Sequence, residues 1–209
     1  MRLQLALDIY DIPESLEILK ELADVVDIVE IGTPMVIREG VRAVKAVREA
    51  CPELCVLADL KIMDGGKMEA KMAFDAGADI VTVLAVAEDT TIKNVVEVAR
   101  EYGKEVMADL IAVKDLENRA AELDQFGLDY LCVHTAFDIQ HTGQSPLNDL
   151  KTIKCVLKQT KAAVAGGVKL STLAEVAAQK PDIVIVGMGI TGQQEKKSVA
   201  LKMKDIIKG

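Results

Sequence analysis

The chain has 209 residues, half of them hydrophobic, with only 3% aromatic residues and no Trp. That length suits one domain with a large core of Ala, Val, Ile, Leu and Met, the composition of parallel strands covered by helices. A net charge of −8 argues against a nucleic-acid surface, and no run approaches the ~20 apolar residues of a membrane span. Four cysteines without a CxxC pair, alongside two histidines, argue against a Cys/His zinc site. The opening MRLQLALDIYD is too short in its apolar part for a signal peptide and is interrupted by Asp8, so a cytoplasmic protein with reduced thiols is expected.

Short apolar runs recur along the chain, each followed by a helical pattern. LQLALD from Leu3 precedes PESLEILKELA, with Asp11 as its cap and Pro13 in its first turn. VDIVEIG from Val26 precedes MVIREGVRAVKAVREA, read as a single helix. CVLADLKI from Cys55 precedes KMEAKMAFDAG, which closes at Gly77; IVTVLA from Ile80 precedes IKNVVEVAREYG, which closes at Gly103. EVMADLIA from Glu105 and NRAAELDQFG come next, then YLCVHT from Tyr130 and LNDLKTIKCVLKQ. AAVAGGV from Ala162 with STLAEVAAQ, and IVIVGMGI from Ile183 with a charged helix around VALKMKDII, complete the series. Eight strands alternating with eight helices predict a single (β/α)8 barrel over residues 1–209, with an open doubly wound sheet as the alternative.

Nearly every apolar run ends on a polar residue or glycine. The first ends at Asp8, the second at Glu30 and the third at Asp59 and Lys61; the fifth carries Asp109 and the sixth ends at His134. In a barrel these ends converge on one mouth, where active sites lie. Residues two apart on a strand point the same way, so Asp59 and Lys61 would both face the mouth, with Asp64 following in the loop. Flanking carboxylates would keep Lys61 protonated, which disfavours a Schiff-base role. Glu30 and Asp59, on adjacent strands, would repel unless a cation or proton lay between them; Mg2+ is the hard divalent ion that uses one or two carboxylates plus substrate oxygens. Pairing of one carboxylate with Lys61, without a metal, is the other reading. His134, beside these charges, reads as an acid/base group. Gly166-Gly167 and Gly187 with Gly189 would let backbone N–H groups approach a phosphate, unless they serve only as tight turns.

ADLKIMDGG at 58–66 resembles the D-x-K-x-x-D signature of the orotidine monophosphate decarboxylase superfamily. Its KIMDGG form is similar to the branch containing 3-hexulose-6-phosphate synthase and 3-keto-L-gulonate-6-phosphate decarboxylase. The resemblance extends through LALD (5–8), EIGTP (30–34), DLI (109–111), HTAFDIQ (134–140), AGG (165–167) and VGMGIT (186–191). It implies a homodimeric barrel with shared active sites, using Mg2+ and an enediolate. By motif position, Glu30 and Asp59 would contact Mg2+, while Asp8, Lys61 and Asp109 would hold or polarise substrate oxygens. Asp64 would reach into the partner's site, His134 would move protons, and Gly167 and Gly189 with Gly166 and Gly187 would bind phosphate. Phe137 stands where the decarboxylase pattern carries Arg, which favours the synthase pattern. Ala136 replaces a usual Gly, and Met188-Gly189 stands where small residues or an Arg are common. The resemblance thus implies condensation of formaldehyde with D-ribulose 5-phosphate and its reverse. The decarboxylation and a non-catalytic sugar-phosphate-binding regulator are the alternatives.

Overall fold

The computed structural model describes residues 1–9, 11–143 and 145–208. Strand β1 (Arg2–Leu7) leads to α1 (Ile12–Leu22), and β2 (Ile28–Ile31) to α2 (Thr33–Glu39) and α3 (Arg42–Ala50). Then follow β3 (Cys55–Ile62), α4 (Gly66–Asp75), β4 (Ile80–Leu84), α5 (Asp89–Tyr102), β5 (Glu105–Asp109) and α6 (Leu116–Leu123). After β6 (Tyr130–His134) comes a 3-10 helix (Phe137–Thr142), then α7 (Leu147–Val156), β7 (Lys161–Ala165) and α8 (Leu173–Ala178). The chain ends with β8 (Ile183–Val186), α9 (Met188–Thr191) and α10 (Lys196–Lys208). The strands pair in parallel, in sequence order, and β8 returns to β1, closing the expected eight-stranded barrel.

The helix ends follow local chemistry. Asp11 caps α1, its carboxylate accepting from the Glu14 N–H at 3.0 Å. The segment expected as one helix after β2 is two, because Gly40 adopts φ +65° and ends α2 before α3 begins.

Two apolar layers hold the barrel. Side chains on the outward face of the strands pack against the helices in one large cluster. A smaller inner cluster, including Ile28, Leu57, Ile80, Met107, Tyr130 and Ile183, fills the barrel itself.

The end where the strands begin is held by a fourfold repeat. Asp27, Asp79, Asp129 and Asp182 immediately precede β2, β4, β6 and β8. Each carboxylate accepts from a backbone N–H at the start of the preceding strand: Leu3 (2.7 Å), Val56 (2.9 Å), Val106 (2.8 Å) and Ala162 (2.9 Å). Each backbone N–H of these aspartates donates in return to the carbonyl of that same residue. Four two-strand units are thereby pinned in register. Around Asp79 the pin is extended: Arg48 pairs with its carboxylate, Lys104 Nζ lies 2.6 Å from Oδ1, and Arg48 also donates to the carbonyls of Gly77, Pro52 and Leu54.

Burial opposes ionisation of Asp79, but the Lys104 hydrogen bond, the Val56 N–H and the charges of Arg48 and Lys104 outweigh it and hold the carboxyl below its ordinary range. A carboxyl depressed on folding stabilises above its unfolded pKa of ~4, and that contribution is lost as pH falls through the lower folded value. Asp79→Ala should therefore cost about 2–3 kcal/mol at neutral pH by urea unfolding. The gap between wild type and Asp79→Asn should close as the pH is taken below the ordinary carboxylate range; a gap independent of pH would count against the charged clasp.

Candidate active site

The strand period of two builds the mouth directly. Above inner-cluster residues Ile28, Leu57, Ile80, Met107 and Cys132 stand, two positions on, Glu30, Asp59, Thr82, Asp109 and His134. Asp8 follows Ala6 in the same way on the first strand.

Lys61 is the centre of the ring. Its Nζ lies 2.6 Å from Asp59 Oδ2 and 3.4 Å from Asp109 Oδ2. The two residues meet for a reason other than simple strand alternation. The β3–β4 register shifts between Ala58 and Ile62, and Lys61 adopts φ +47°, a left-handed conformation that costs a side-chain-bearing residue energy. Its N–H donates to Thr82 Oγ1 at 2.9 Å, and that hydroxyl donates onward to Asp59 Oδ1 at 2.8 Å. Thr33, at the start of α2, donates to Asp59 Oδ2 at 2.7 Å. Burial of Lys61 opposes its charge, but Asp59 and Asp109 outweigh it, so the ammonium is held well above its ordinary pKa.

Asp109 is almost fully buried, and its two oxygens are engaged. Oδ2 lies 2.9 Å from His134 Nδ1, and Oδ1 accepts from the Ile111 N–H at 2.9 Å. Burial would raise its pKa, but the His134 hydrogen bond and the His134 and Lys61 charges prevail and lower it. An ionised carboxylate only accepts, so Nδ1 of His134 carries the proton and Nε2 is left as a base. Asp109 is thus placed to orient His134 rather than to meet substrate oxygens directly.

Glu30 is buried and accepts from Gln4 Nε2 at 2.6 Å. Burial, then Asp59 and Asp8, push its carboxyl well above the ordinary range. Asp8, on the rim, is raised by burial and by Asp59. Its carboxylate sits between two glycines: a Cβ at Gly32 would stand 2.4 Å from Oδ1, and one at Gly187 would stand 3.3 Å from Oδ2. With Glu30 and Asp8 both raised by burial and by the Asp59 charge, the site is short of positive charge, which a divalent cation would relieve. Among the described residues no group of three or more His, Cys, Asp or Glu is arranged as a ready cage. The donor set suits a hard ion that completes its shell with substrate and water oxygens.

The glycine turns lie at the ends of adjacent strands β7 and β8. Gly166 has φ +94°, and a Cβ there would stand 2.3 Å from the Thr135 carbonyl oxygen; one at Gly189 would stand 2.6 Å from the Val168 carbonyl oxygen. These contacts require glycine and bring both turns together beside the loop after β6. A cavity of about 180 Å3 runs alongside, lined by Gly166, Gly167 and Thr172 among others. Asp64 is not brought into the cluster: it is exposed and accepts from the Gly65 N–H at 2.7 Å. Gln4 and Thr82 fall in none of the quoted motifs, and Thr33, inside EIGTP, carries no role by motif alone. The position of Thr82, two beyond Ile80 on the inner face, is the signal that would have marked it.

The family model described as orotidine 5'-phosphate decarboxylase / HUMPS family matches residues 1–203. The chain belongs to that family. A 3-hexulose-6-phosphate synthase from Bacillus subtilis is 55% identical over 99% of both chains. The crystal structure of the 3-hexulose-6-phosphate synthase of Salmonella typhimurium superposes with a TM-score of 0.97 at 45% identity, covering 99% of this chain and 98% of that one. A 3-keto-L-gulonate-6-phosphate decarboxylase from Vibrio cholerae is more distant, at 25% identity and a TM-score of 0.88 over 99% of this chain and 97% of the other.

Mutual repulsion among Asp8, Glu30 and Asp59 makes a direct expectation. In EDTA, Glu30→Gln should raise the melting temperature by a few degrees, about 1 kcal/mol, while abolishing turnover. A lower melting temperature for this variant would mean that Glu30 is not a strained charge.

Proposed function

We propose that the chain condenses formaldehyde with D-ribulose 5-phosphate to give 3-hexulose 6-phosphate, and catalyses the reverse cleavage. The observation that carries this reading is full-length similarity to synthases at 45–55% identity, against 25% for the decarboxylase. Phe137, exposed where the decarboxylase pattern has an Arg, points the same way.

In this reading the glycine turns at 166–167 and 187–189 hold the phosphate through the backbone, as suits an acidic chain. Glu30 and Asp59 would hold Mg2+, which when bound supplies positive charge against the negative charge developing on the substrate oxygens. His134 Nε2, oriented by Asp109, removes the proton from C1 of the pentulose phosphate. The C1–H electron pair forms the new bond to the formaldehyde carbon, and the proton passes to the formaldehyde oxygen as it becomes a hydroxyl. Lys61, kept cationic by Asp59 and Asp109, donates a hydrogen bond to substrate oxygen as charge builds there. Asp8 on the rim receives a substrate hydroxyl.

Among the described residues no helix is long and apolar enough to cross a membrane. The four cysteines are free thiols, which suits the cytoplasm proposed for the protein. The homodimer proposed from the resemblance is supported by exposed Met63, Met68 and Met72 flanking exposed Asp64. From that surface Asp64 would enter the partner's mouth.

Loss of formaldehyde in the presence of D-ribulose 5-phosphate and Mg2+ tests the function. EDTA should abolish it, and Asp59→Asn should lower it by about a thousandfold or more. Absence of loss, with CO2 released from 3-keto-L-gulonate 6-phosphate, would transfer the assignment to the decarboxylase. Sedimentation velocity tests the assembly: a particle of twice the chain mass is expected, reverting to a monomer in Met68→Asp, and a monomeric wild type would remove Asp64 from the site.

A further inference from the structure

A cavity of about 880 Å3 lies at the end of the barrel opposite the polar mouth. The strand period that stacks Asp59 and His134 at the mouth places Arg2, Cys55, Glu105, Tyr130 and Lys161 at the first positions of their strands, on the floor. Arg2 and Lys161 line the cavity, joined by Lys180 from the turn after α8 and Lys208 from the end of α10. Among the described residues Asp182 is the one carboxylate in the lining, and one of its oxygens is taken by the Ala162 N–H.

Among the described residues Arg2, Lys161, Lys180 and Lys208 form no ion pair, so their charges are open to a ligand. Nor is Lys180 needed to satisfy the end of α8, because Lys154 already donates to the carbonyls of Gln179 (2.7 Å) and Lys180 (2.5 Å). Lys180 itself adopts φ +50°, an unfavourable conformation for a side-chain-bearing residue.

Two of the cations are ordered by one ring. Tyr130 is buried in the floor; its hydroxyl accepts from Arg2 Nη1 at 3.4 Å and donates to Glu105 at 3.2 Å, and Lys161 Nζ lies 5.4 Å from the ring centroid. The remaining wall is apolar, contributed by Ala177, Pro181 and Ile206 among others. The volume is that of a small-molecule site. Cations spread over four separate elements around it call for a ligand with several negative charges, and the apolar wall for an organic body.

We propose that this floor cavity is a second ligand site, taking a small organic polyphosphate of the nucleoside triphosphate class. It is independent of the chemistry at the mouth. Titration calorimetry of the full chain with ATP, and separately with inorganic tripolyphosphate, tests it in Mg2+-free buffer containing inorganic phosphate to fill single-phosphate sites. One equivalent per chain should bind. Lys161→Gln combined with Lys180→Asn, the Asn chosen because it tolerates positive φ, should weaken binding about tenfold or more. Lys208→Gln alone should weaken it less, and Lys151→Gln on α7 should leave it unchanged. Tighter binding of ATP than of tripolyphosphate would place the nucleoside on the apolar wall; equal binding would assign recognition to the phosphate chain. Both results support the site, and circular dichroism melts verify that the variants fold. Binding unaffected by the double variant, or no binding of either probe, would overturn the proposal.

Discussion

The Lys61 ammonium is the charge on which the mouth of this barrel depends. It touches Asp59 on one side and Asp109 on the other, and each contact sets the state of a different half of the site. Through Asp109 it helps keep a buried carboxylate ionised, which fixes the proton of His134 on Nδ1 and exposes Nε2 as a base. Through Asp59 it offsets part of the repulsion reaching Glu30 and Asp8. Arginine would carry the same charge, but its planar fork would not reproduce a point charge held between two carboxylates.

That placement requires a backbone turned into the left-handed region at Lys61, with its N–H held by Thr82. A second side-chain-bearing residue at the same end, Ala112, has φ +63°. Such strain persists only when surrounding structure over-determines it. The four aspartate clasps at the other end supply that rigidity: they pin strand pairs in register from below, so the upper ends of the strands are free to depart from regular geometry. Stability and chemistry are thus separated along the strand axis, as expected of this architecture.

Much of this was legible in the chain. Eight apolar runs alternating with helical patterns pointed to the barrel, and polar strand ends to Asp8, Glu30, Asp59, Lys61, Asp109 and His134. What escaped was of three kinds. Thr82 and Gln4 are uncharged residues inside apolar runs, and their partners, Asp59 and Glu30, come from the neighbouring strand. The break at Gly40 turned one expected helix into two, because hydrophobic periodicity continues through a residue that the backbone does not. The clasping aspartates in VDIV, ADIV, LDYL and PDIV were visible as a repeat, but each bonds to a strand that precedes it by 20 or more residues. Spacing alone does not reveal such a pairing. Asp64 was legible as part of a motif, yet in the single chain it is exposed and stands apart from the cluster at the mouth.

The two glycine turns press against each other and against the loop after β6, with carbonyl oxygens where a Cβ at Gly166 or Gly189 would fall. An anchor made of main chain is indifferent to the drift of side chains around it, but it admits almost no substitution of its own. The rest of the mouth is built from side chains, Asp8, Glu30, Asp59, Lys61, Asp109 and His134. Under the proposed function, the mouth divides into an unchanging hand for the substrate's tail and a replaceable set of tools for its head. Diversification of chemistry within such a barrel has an open route through the second half and a closed one through the first.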